Sequence, residues 1–580
     1  MNNRSGLTAF FIFLLLIVMI LLQVLSMIQA DRLYERLNHL LNTLAARGPV
    51  RTVKDSSDST DLPGEEYIGD EGDWLVWRLR AEPRTLNPLT VEGSLVTRWI
   101  TTGNIFERLF EYDLNVDKVK LKPWLAKSLE KSDDGLEMIV KLRDDICFSD
   151  GVALTADDVI FTYETIMNPG VDAPNLRNYY ENIKEVVKID ERTVKFVFNE
   201  LYWKSLEAVG IFEVLPKHIY QFDDPSEFNS RRSEPFGSGP YVFEKWDVGQ
   251  EIVLRRNNHY WGRKPKIEKV VYKFITNDTA ALQSVRSGHV DYMEPTSEQF
   301  AEMLTDEKFG EQFRTLSYWE PSGGYAFIGW NYATAFFKDR RVRLAMTHII
   351  NRQAIVEYLL KGRGKVVTGP FYIHGRQNDP NIEPWPYDPQ KARELLDDAG
   401  WEDTDGDGIR DKDGIVFRFK YSYPTSGVTG ERLAKLLKDE AAKVGIDVIS
   451  DPLEWSIFTE RLNERQFDAA TLSWGGTIES DPYQIWHSSQ IKGRGNNFIA
   501  FSNAEADEII EEARRTLDDD KRYALYHRLH QILHEQQPYT FLVTRPTFKF
   551  LDKRFENVKI HKLGLNPHEW YVPKEKQRYK

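Results

Sequence analysis

Leu142-Arg-Asp-Asp-Ile-Cys-Phe148-Ser-Asp150-Gly151-Val-Ala-Leu-Thr155-Ala-Asp157-Asp158-Val159 is the stretch that predicts most about the fold, because a strand, a tight turn and a helix start follow one another in it. Asp150-Gly151 supplies the turn, since these two residue types tolerate turn conformations. Thr155 caps the helix, and Asp158 stands three residues later, at the capping-box position. We interpret these residues as scaffold and expect Cys147 to be a small buried apolar side chain.

Strands and helices mingle along the rest of the chain without a repeat. The predicted strands cover residues 74–80, 186–198 (two strands around a turn), 252–255, 269–275 and 417–421. The predicted helices cover residues 339–358, 389–399 and 430–444, with two more in 503–535. Such a mixed order predicts α/β lobes whose sheets carry helices. Ligand sites in these folds lie between lobes or at strand ends.

The composition describes a large globular protein that does not bind nucleic acid. A chain of 580 residues favours two or three packed lobes. Hydrophobic residues make up 41% and charged residues 28%, which is ordinary for a folded protein. The net charge of −13 argues against phosphate binding, which needs a basic surface. A single cysteine, Cys147, excludes an intrachain disulfide and any CxxC site.

The N-terminal segment predicts export. Residues 7–28 are almost wholly apolar and long enough to span a bilayer, and Arg4 before them favours a cytoplasmic N-terminus. Residues 1–30 are therefore a signal anchor or a cleaved signal peptide that ends at Ala30. A seam of leucines spaced by four and three continues the apolar run and predicts a short coiled coil. Its members are Leu33, Leu37, Leu40 and Leu44.

We favour the uncleaved anchor, because a coiled coil continues a membrane helix more naturally than it follows a cleavage site. The protein is then periplasmic or extracytoplasmic, anchored to the cytoplasmic membrane, and dimeric through the anchor. A polar linker, rich in serine, aspartate and glycine, covers residues 51–73. The folded body begins at Trp74, where apolar and polar residues alternate as in a strand.

No motif for catalysis is present in the sequence. There is no GxSxG elbow, no HExxH and no P-loop, so we expect that the protein is not an enzyme. His527, His530 and His534 share one helix face, yet no carboxylate or cysteine pattern completes a metal site. We expect these histidines to be solvated or to cap the helix.

One acidic stretch partly matches a calcium-binding loop. Asp403, Asp405 and Asp407 occupy the first, third and fifth positions, but Gly414 stands where the bidentate glutamate belongs. A strand also follows where a helix is expected. Two interpretations stay open: a polar turn, which we favour, and a weak structural calcium site that would add Asp411. We expect no other cofactor.

Several further motifs, in a fixed order along some 400 residues, accompany the opening stretch. They are Glu82-Pro-Arg-Thr-Leu-Asn87-Pro88, Gly237-Ser-Gly-Pro240-Tyr241, Asn258-His-Tyr260-Trp261, Asp339-Arg-Arg-Val342-Arg343-Leu-Ala345, Asn351-Arg352, Ser480-Asp481-Pro482-Tyr483, Trp486-His487-Ser488-Ser489 and Asn496-Asn497. Together with Leu142–Val159 they resemble the extracellular solute-binding receptors of family 5, which bind peptides, opines or nickel. Each motif is weak alone, and their common order makes the resemblance specific.

The resemblance implies an α/β type II periplasmic-binding-protein fold, with two lobes built from three domains and a ligand cleft at the hinge. Domain I would comprise residues 73–112, 235–320 and 546–580, domain II 113–234 and domain III 321–545, after a coiled coil and linker over 31–72. It also implies a receptor that closes on a solute, by family habit an oligopeptide, and delivers it to an ABC permease. No reaction and no nucleic acid are involved.

The candidate ligand-binding residues centre on one segment of domain III. In peptide-binding relatives a Trp-x-x-Asp motif places an aspartate opposite the ligand's α-ammonium group. Here Trp474-Gly475-Gly476-Thr477 carries a threonine in its place, which puts free-amine recognition in doubt. Glu479 or Asp481 could substitute for the aspartate. We add the aromatic residues Tyr325, Trp330 and Trp99 as further candidates for the walls of the site.

Two alternatives to a peptide receptor stay open. Aromatic platforms without an amine-binding aspartate would also suit an oligosaccharide, and other relatives take a metal chelate. A membrane-anchored sensory or assembly module with the same fold would explain the coiled coil.

Overall fold

The computed structural model describes residues 67–93, 95–116, 118–425, 429–492 and 495–579. The predicted membrane helix and leucine seam lie outside these ranges, as does most of the linker. No helix within the described ranges is both long and apolar enough to cross a bilayer. Residues 130–138 belong to a different compact unit from the other described residues and contain a turn in which the Gly135 amide donates to the Ser132 carbonyl.

A seven-stranded sheet combines strands from distant parts of the chain. Its strands in spatial order are Phe313–Tyr318, Thr547–Asp552, Tyr292–Met293, Trp74–Leu79, Lys269–Phe274, Glu251–Arg256 and Tyr241–Asp247. Trp74–Leu79 runs parallel to Lys269–Phe274 and places Trp77 opposite Tyr272. Three separate stretches of chain supply these strands. They therefore form one sheet with a common core, although they are far apart in the sequence.

A four-stranded sheet is formed by the part of the chain that follows strand Trp74–Leu79 and precedes strand Tyr241–Asp247. Its order is Ala126–Lys131, Glu137–Leu142, Thr193–Phe198 and Ile183–Asp190. The last two strands form the predicted hairpin. Thr155 and Asp158 form the predicted capping box of helix Ala156–Met167. Gly151 has a φ of 87°, as the predicted turn requires, whereas Cys147 is only half-buried.

A five-stranded sheet organises residues 321–545. Its order is Asp447–Leu453, Arg418–Pro424, Ala469–Trp474, Tyr325–Trp330 and Tyr539–Phe541. Alternate side chains of Tyr325–Trp330 enter two different hydrophobic clusters, because successive strand residues face opposite sides. Ile328 and Trp330 lie in one cluster, and Tyr325 and Phe327 in the other.

The helices follow the predictions closely, with one break. Helix 389–399 is observed as Pro389–Asp398, helix 430–444 as Thr429–Ala442, and the pair in 503–535 as Ala504–Arg515 and Asp519–Gln536. The single helix expected over 339–358 is wrong. The first helix of this range, Arg340–His348, ends at His348. Asn351 then caps a new short helix, Arg352–Ala354, and a π-helical turn follows at Ile355–Leu359.

The remaining elements are short. The other α-helices are Leu95–Thr101, Pro174–Tyr180, Ser205–Gly210, Lys217–Tyr220, Pro225–Ser230, Asp278–Arg286, Ser297–Met303, Glu307–Gln312, Trp455–Asn463 and Tyr483–Trp486. The 3-10 turns are Pro321–Gly323, Ser488–Ile491, Pro567–Glu569 and Lys574–Lys576. Two-stranded ribbons pair Phe110–Tyr112 with Leu121–Pro123, Lys365–Val366 with Val543–Thr544, Asp411–Lys412 with Ile415–Val416, and Ile560–His561 with Gly564–Leu565.

The chain crosses twice between the seven-stranded and five-stranded sheets, and the two crossings touch. Thr544 Oγ1 donates to the Gly324 carbonyl at 2.6 Å, and Thr547 Oγ1 donates to Glu320 Oε1 at 2.6 Å. Both crossings are short connecting segments, the kind of segment in which hinge rotation between lobes occurs.

Candidate functional site

A cavity, which we call the hinge cavity, lies beside the two crossings at the end of the five-stranded sheet. It is lined by Pro321, Gly324, Tyr325, Val367, Pro370, Phe371, Tyr372, Ile373, Trp474, Gly475, Gly476, Thr477, Ser480, Asp481, Pro482, Ile485, Trp486 and Thr544. Its free volume of about 60 Å³ has room for a few water molecules. This free volume is smaller than the space that a peptide-sized solute occupies.

The structure brings five of the eight candidate ligand residues to this cavity. They are Tyr325, Trp474, Gly475, Thr477 and Asp481. The remaining three, Glu479, Trp330 and Trp99, do not line it.

Trp474 is the last residue of strand Ala469–Trp474 and forms an aromatic wall of the hinge cavity. Its ring stacks between Phe327 and Phe498, with centroid distances of 6.2 and 6.0 Å and interplanar angles of 14° and 11°. Its indole N–H donates weakly to the Tyr539 hydroxyl at 3.4 Å. Trp474 is half-buried, so the packing fixes its orientation while part of the side chain stays accessible.

The segment after Trp474 presents backbone to the cavity. A Cβ atom on Gly476 would overlap the Pro321 carbonyl, and one on Gly324 would overlap the Trp474 carbonyl. Gly324 also has a φ of 59°, which favours glycine. The glycines thus allow close approach between the crossing and the cavity wall. Thr477 is exposed, and its hydroxyl donates to the Glu479 carbonyl at 2.9 Å.

Asp481 is engaged in a network that joins residues 113–234 to residues 321–545. Its Oδ2 accepts hydrogen bonds from the Tyr202 hydroxyl at 2.7 Å and from Arg514 Nε at 3.1 Å, and its Oδ1 accepts from the Tyr483 amide at 3.0 Å. Burial and the adjacent Asp481 carboxylate raise the pKa of Tyr202 well above its ordinary value. Asp481 is therefore a carboxylate with its partners already in place.

Glu479 and Trp330 have structural surroundings. Glu479 is 5% exposed and accepts a hydrogen bond from the Tyr523 hydroxyl of helix Asp519–Gln536. Trp330 is fully buried, packs on Phe337 with a centroid distance of 4.8 Å, and donates from Nε1 to Thr540 Oγ1 at 3.0 Å. The structure thus corrects the placement of Trp330: strand alternation turns it into the core on the side away from Tyr325.

Tyr325 combines burial with a free hydroxyl. It is 6% exposed, and its hydroxyl has no hydrogen-bond partner among the described residues. Burial, together with the nearby Tyr539, raises its pKa well above the ordinary value. A buried hydroxyl without a partner is costly, and a polar group of a bound solute would satisfy it.

Several residues in and around the site were missed by sequence reasoning. Phe371 and Tyr372 enter the cavity from a loop of residues 367–373, and Tyr202 and Arg514 position Asp481 from two distant segments. These residues carry no local signal, because their role depends on contacts over long chain separations.

The acidic loop adopts a polar turn with three converging carboxylates. Asp403, Asp405 and Asp407 are exposed, and each offers an oxygen within 4.8 Å of the others. Asp403 accepts from the Gly406 and Gly408 amides, at 2.8 and 3.0 Å. Asp411 instead accepts from the Thr404 amide and hydroxyl. The polar turn is observed, and calcium binding stays a prediction.

The expectation that the three histidines of helix Asp519–Gln536 are solvated or capping is wrong for His530, which is fully buried. The Asp379 amide donates to His530 Nδ1 at 3.1 Å, so the ring proton lies on Nε2 and is donated to Thr368 Oγ1 at 3.0 Å. Burial and the neighbouring His534 lower the pKa of His530 to about 4. The ring therefore fastens the loop that carries Phe371 to the helix.

Three sheets, two adjacent crossings and a cavity beside them define a hinged solute-binding protein. The sequence profile described as bacterial extracellular solute-binding proteins, family 5 Middle, matches residues 120–496. The oligopeptide-binding protein AppA of Bacillus subtilis (strain 168) is 33% identical over 501 residues, which cover 84% of this chain and 90% of the relative.

Solved structures agree with this similarity. AppA from Bacillus subtilis in complex with a nonapeptide is 31% identical, with a TM-score of 0.78, and the match covers 87% of this chain and 100% of that chain. NikZ from Campylobacter jejuni in complex with Ni(L-His) is 28% identical, with a TM-score of 0.74 and coverage of 86% and 99%.

The chain belongs to family 5 of the bacterial extracellular solute-binding proteins. It is an extracytoplasmic solute receptor of ABC import. The α/β type II fold and the family predicted from the sequence are confirmed.

Proposed function

We propose that the solute is an oligopeptide, bound between the lobes beside Trp474 and the backbone of Gly475-Gly476-Thr477. The observation that carries this proposal is that the backbone amides of that segment are available for hydrogen bonding. No described residue accepts a hydrogen bond from the amides of Gly475, Gly476 or Thr477. Extended peptides add to such edges through main-chain hydrogen bonds. The relative AppA, named as an oligopeptide-binding protein, supports the same class of ligand.

The ligand's amino terminus is not held by a dedicated carboxylate. Thr477 stands at the position of the expected aspartate, and its hydroxyl bonds to the chain itself. Asp481 already accepts hydrogen bonds from the Tyr202 hydroxyl and from Arg514 Nε. Affinity then comes from main-chain pairing, from aromatic contacts and from the free Tyr325 hydroxyl, and it does not require an α-ammonium group.

Binding proceeds through lobe opening. Because the hinge cavity holds only about 60 Å³ in this conformation, a peptide enters an open form and stabilises a closed one by contacts to both lobes. The receptor needs no reaction and no cofactor for this cycle. The acidic loop at Asp403–Asp407 would take at most a structural calcium ion.

A thermal-shift and calorimetric panel tests the ligand class. Peptides of increasing length should raise the melting temperature, and N-acetylated peptides should bind about as tightly as their free-amine counterparts. Oligosaccharides and nickel–histidine should have no effect. Stabilisation by a sugar or a nickel chelate alone would refute the peptide proposal, and a large loss on acetylation would refute the absence of an amine anchor.

We further propose that residues 7–28 tether the receptor to the cytoplasmic membrane and that the leucine seam at Leu33–Leu44 pairs two copies. The apolar length, Arg4 and the leucine spacing support this arrangement. Intact mass spectrometry of the native membrane fraction should give the uncleaved chain. A mass that begins at Asp31 would refute the tether, and a monomer in detergent by light scattering would refute the pairing.

A further inference from the structure

A second cavity, which we call the aromatic cavity, lies against the seven-stranded sheet and shares no lining residue with the hinge cavity. Its free volume of about 360 Å³ is the size of a small-molecule site. Strands Trp74–Leu79 and Lys269–Phe274 form its floor, helix Leu95–Thr101 one wall, and the turn Pro567–Glu569 another.

The floor of the aromatic cavity is built from aromatic rings, and its two tyrosine hydroxyls already donate hydrogen bonds within the protein. Trp77 and Tyr272 pack with a centroid distance of 5.5 Å. The Tyr272 hydroxyl donates to the Trp99 carbonyl at 3.3 Å, and the Tyr241 hydroxyl donates to the Ile267 carbonyl at 3.0 Å. Trp99 stands at the rim and is 41% exposed, which is unusual for so large an apolar ring. The cavity therefore offers apolar surface and few free acceptors.

The charged groups of the lining are all cationic. Arg98 and Arg108 line the cavity, and none of the described lining residues is an aspartate or a glutamate. Arg98 is exposed and has no hydrogen-bond or ion-pair partner among the described residues. Arg108 Nη2 pairs with Glu213 at 3.2 Å, but its Nε is buried without a partner. A buried guanidinium N–H without an acceptor is costly, and an anion would satisfy it.

We propose that the aromatic cavity binds a small aromatic carboxylate, with its carboxylate directed to Arg98 and Arg108 and its ring on Trp77, Tyr272 and Trp99. Guanidinium groups bind carboxylates with charge-assisted hydrogen bonds, and aromatic walls take the apolar body. This site is separate from the hinge cavity and does not depend on the solute being a peptide.

Calorimetry on the full-length chain tests the site with indole-3-acetate and tryptamine, which share a ring system and carry opposite charges. Indole-3-acetate should bind saturably, and tryptamine at least tenfold more weakly. Arg98→Gln should weaken indole-3-acetate binding by roughly tenfold or more, as expected for the loss of one charge-assisted hydrogen bond. Arg255→Gln, which removes an exposed arginine of the same sheet outside the cavity, should leave binding unchanged.

The proposal is overturned if indole-3-acetate gives no saturable binding, if tryptamine binds equally well, or if Arg98→Gln leaves the affinity unchanged. A variant of the hinge cavity, Trp474→Leu, separates the two sites. Unchanged indole-3-acetate binding in Trp474→Leu supports a separate site, whereas loss of binding there overturns it. Retained folding of each variant is read from its melting curve in the same preparation.

Discussion

The hydroxyl of Tyr202 donates a hydrogen bond to Oδ2 of Asp481 at 2.7 Å, across 279 residues of chain. Arg514 lies over both Tyr202 and Tyr483, with distances of 4.9 and 4.2 Å from its guanidinium carbon to the ring centroids. The Trp203 amide also donates to the Arg514 carbonyl at 3.0 Å. A residue at the edge of the hinge cavity is thereby bonded to a segment that is distant along the chain.

Tyr202→Phe should shift the ligand-free protein toward an open conformation. A hydrogen bond to a charged group contributes about 1.5–3 kcal/mol, so the open-to-closed ratio should rise roughly tenfold or more. Small-angle scattering of the ligand-free protein measures the change as a larger radius of gyration. Tyr523→Phe is the matched control, because it removes a tyrosine–carboxylate bond to Glu479 within one domain. Equal scattering of the two variants would show that the Tyr202 bond does not hold the lobes together.

Trp474 and Trp330 should respond differently to substitution by phenylalanine. Trp474→Phe should weaken peptide binding by roughly fivefold, because part of an aromatic contact is lost. Trp330→Phe should lower the melting temperature and leave the affinity unchanged, because Trp330 is fully buried and bonded to Thr540. Calorimetry and thermal melting on both variants check the pair. A reversed outcome would place the ligand against Trp330.

Glu107 should be essential for stability, although it lies in no motif. Its carboxylate accepts hydrogen bonds from Tyr260 Oη at 2.5 Å, Ser238 Oγ at 2.7 Å, Trp124 Nε1 at 2.8 Å and Trp261 Nε1 at 2.9 Å. Glu107→Ala would leave these buried donors without an acceptor and should reduce the free energy of unfolding by about 3–5 kcal/mol.

Urea unfolding measures the Glu107 effect, with the exposed Glu302→Ala as the control, expected within about 0.5 kcal/mol of wild type. A change below about 1 kcal/mol for Glu107→Ala would mean that water or new partners replace the carboxylate.

His530 should make stability fall in mild acid. Its pKa is about 4 in the folded protein, against an ordinary value of 6.5, because the ring is buried and lies near His534. Between these two values the unfolded chain binds a proton that the folded protein excludes, so the free energy of unfolding decreases as the pH is lowered. One such group contributes at most about 1.4 kcal/mol per pH unit.

His530→Gln should flatten this pH dependence, as measured by urea unfolding at several pH values between 7 and 4. His527, on the same helix, is only half-buried and donates from Nε2 to the Arg376 carbonyl at 2.9 Å, so His527→Gln is the control and should keep the wild-type slope. An unchanged slope in His530→Gln would assign the acid sensitivity to His534, His568 or carboxylates.

Much of the fold was predictable because local physics specifies it. The turn at Asp150-Gly151 and the Thr155–Asp158 capping box depend on residues within a few positions of one another, and both are observed. The helix expected over 339–358 failed at Asn351, where a side chain that accepts from the Ala354 amide starts a new helix. Hydrophobic periodicity continues through such a break and cannot reveal it.

For the candidate site, the sequence predicted which segment of the chain is involved but not which side chains contact one another. The Trp474–Asp481 stretch was identified from its resemblance to a family motif, and most of it lines the hinge cavity. Trp330 was misplaced because an aromatic residue on a strand has equal local reasons to face either side. The partners of Asp481 gave no signal, since Tyr202 and Arg514 lie 279 and 33 residues away from it along the chain.

The sequence by itself determined the α/β class, the family and several caps and turns, because each depends on short-range pattern. Only the tertiary structure decided which side chains share a space: four donors on Glu107, Tyr202 on Asp481, and a cationic, aromatic cavity away from the hinge. The physical reason is that burial and hydrogen-bond pairing are set by long-range packing, which joins residues that no local preference relates.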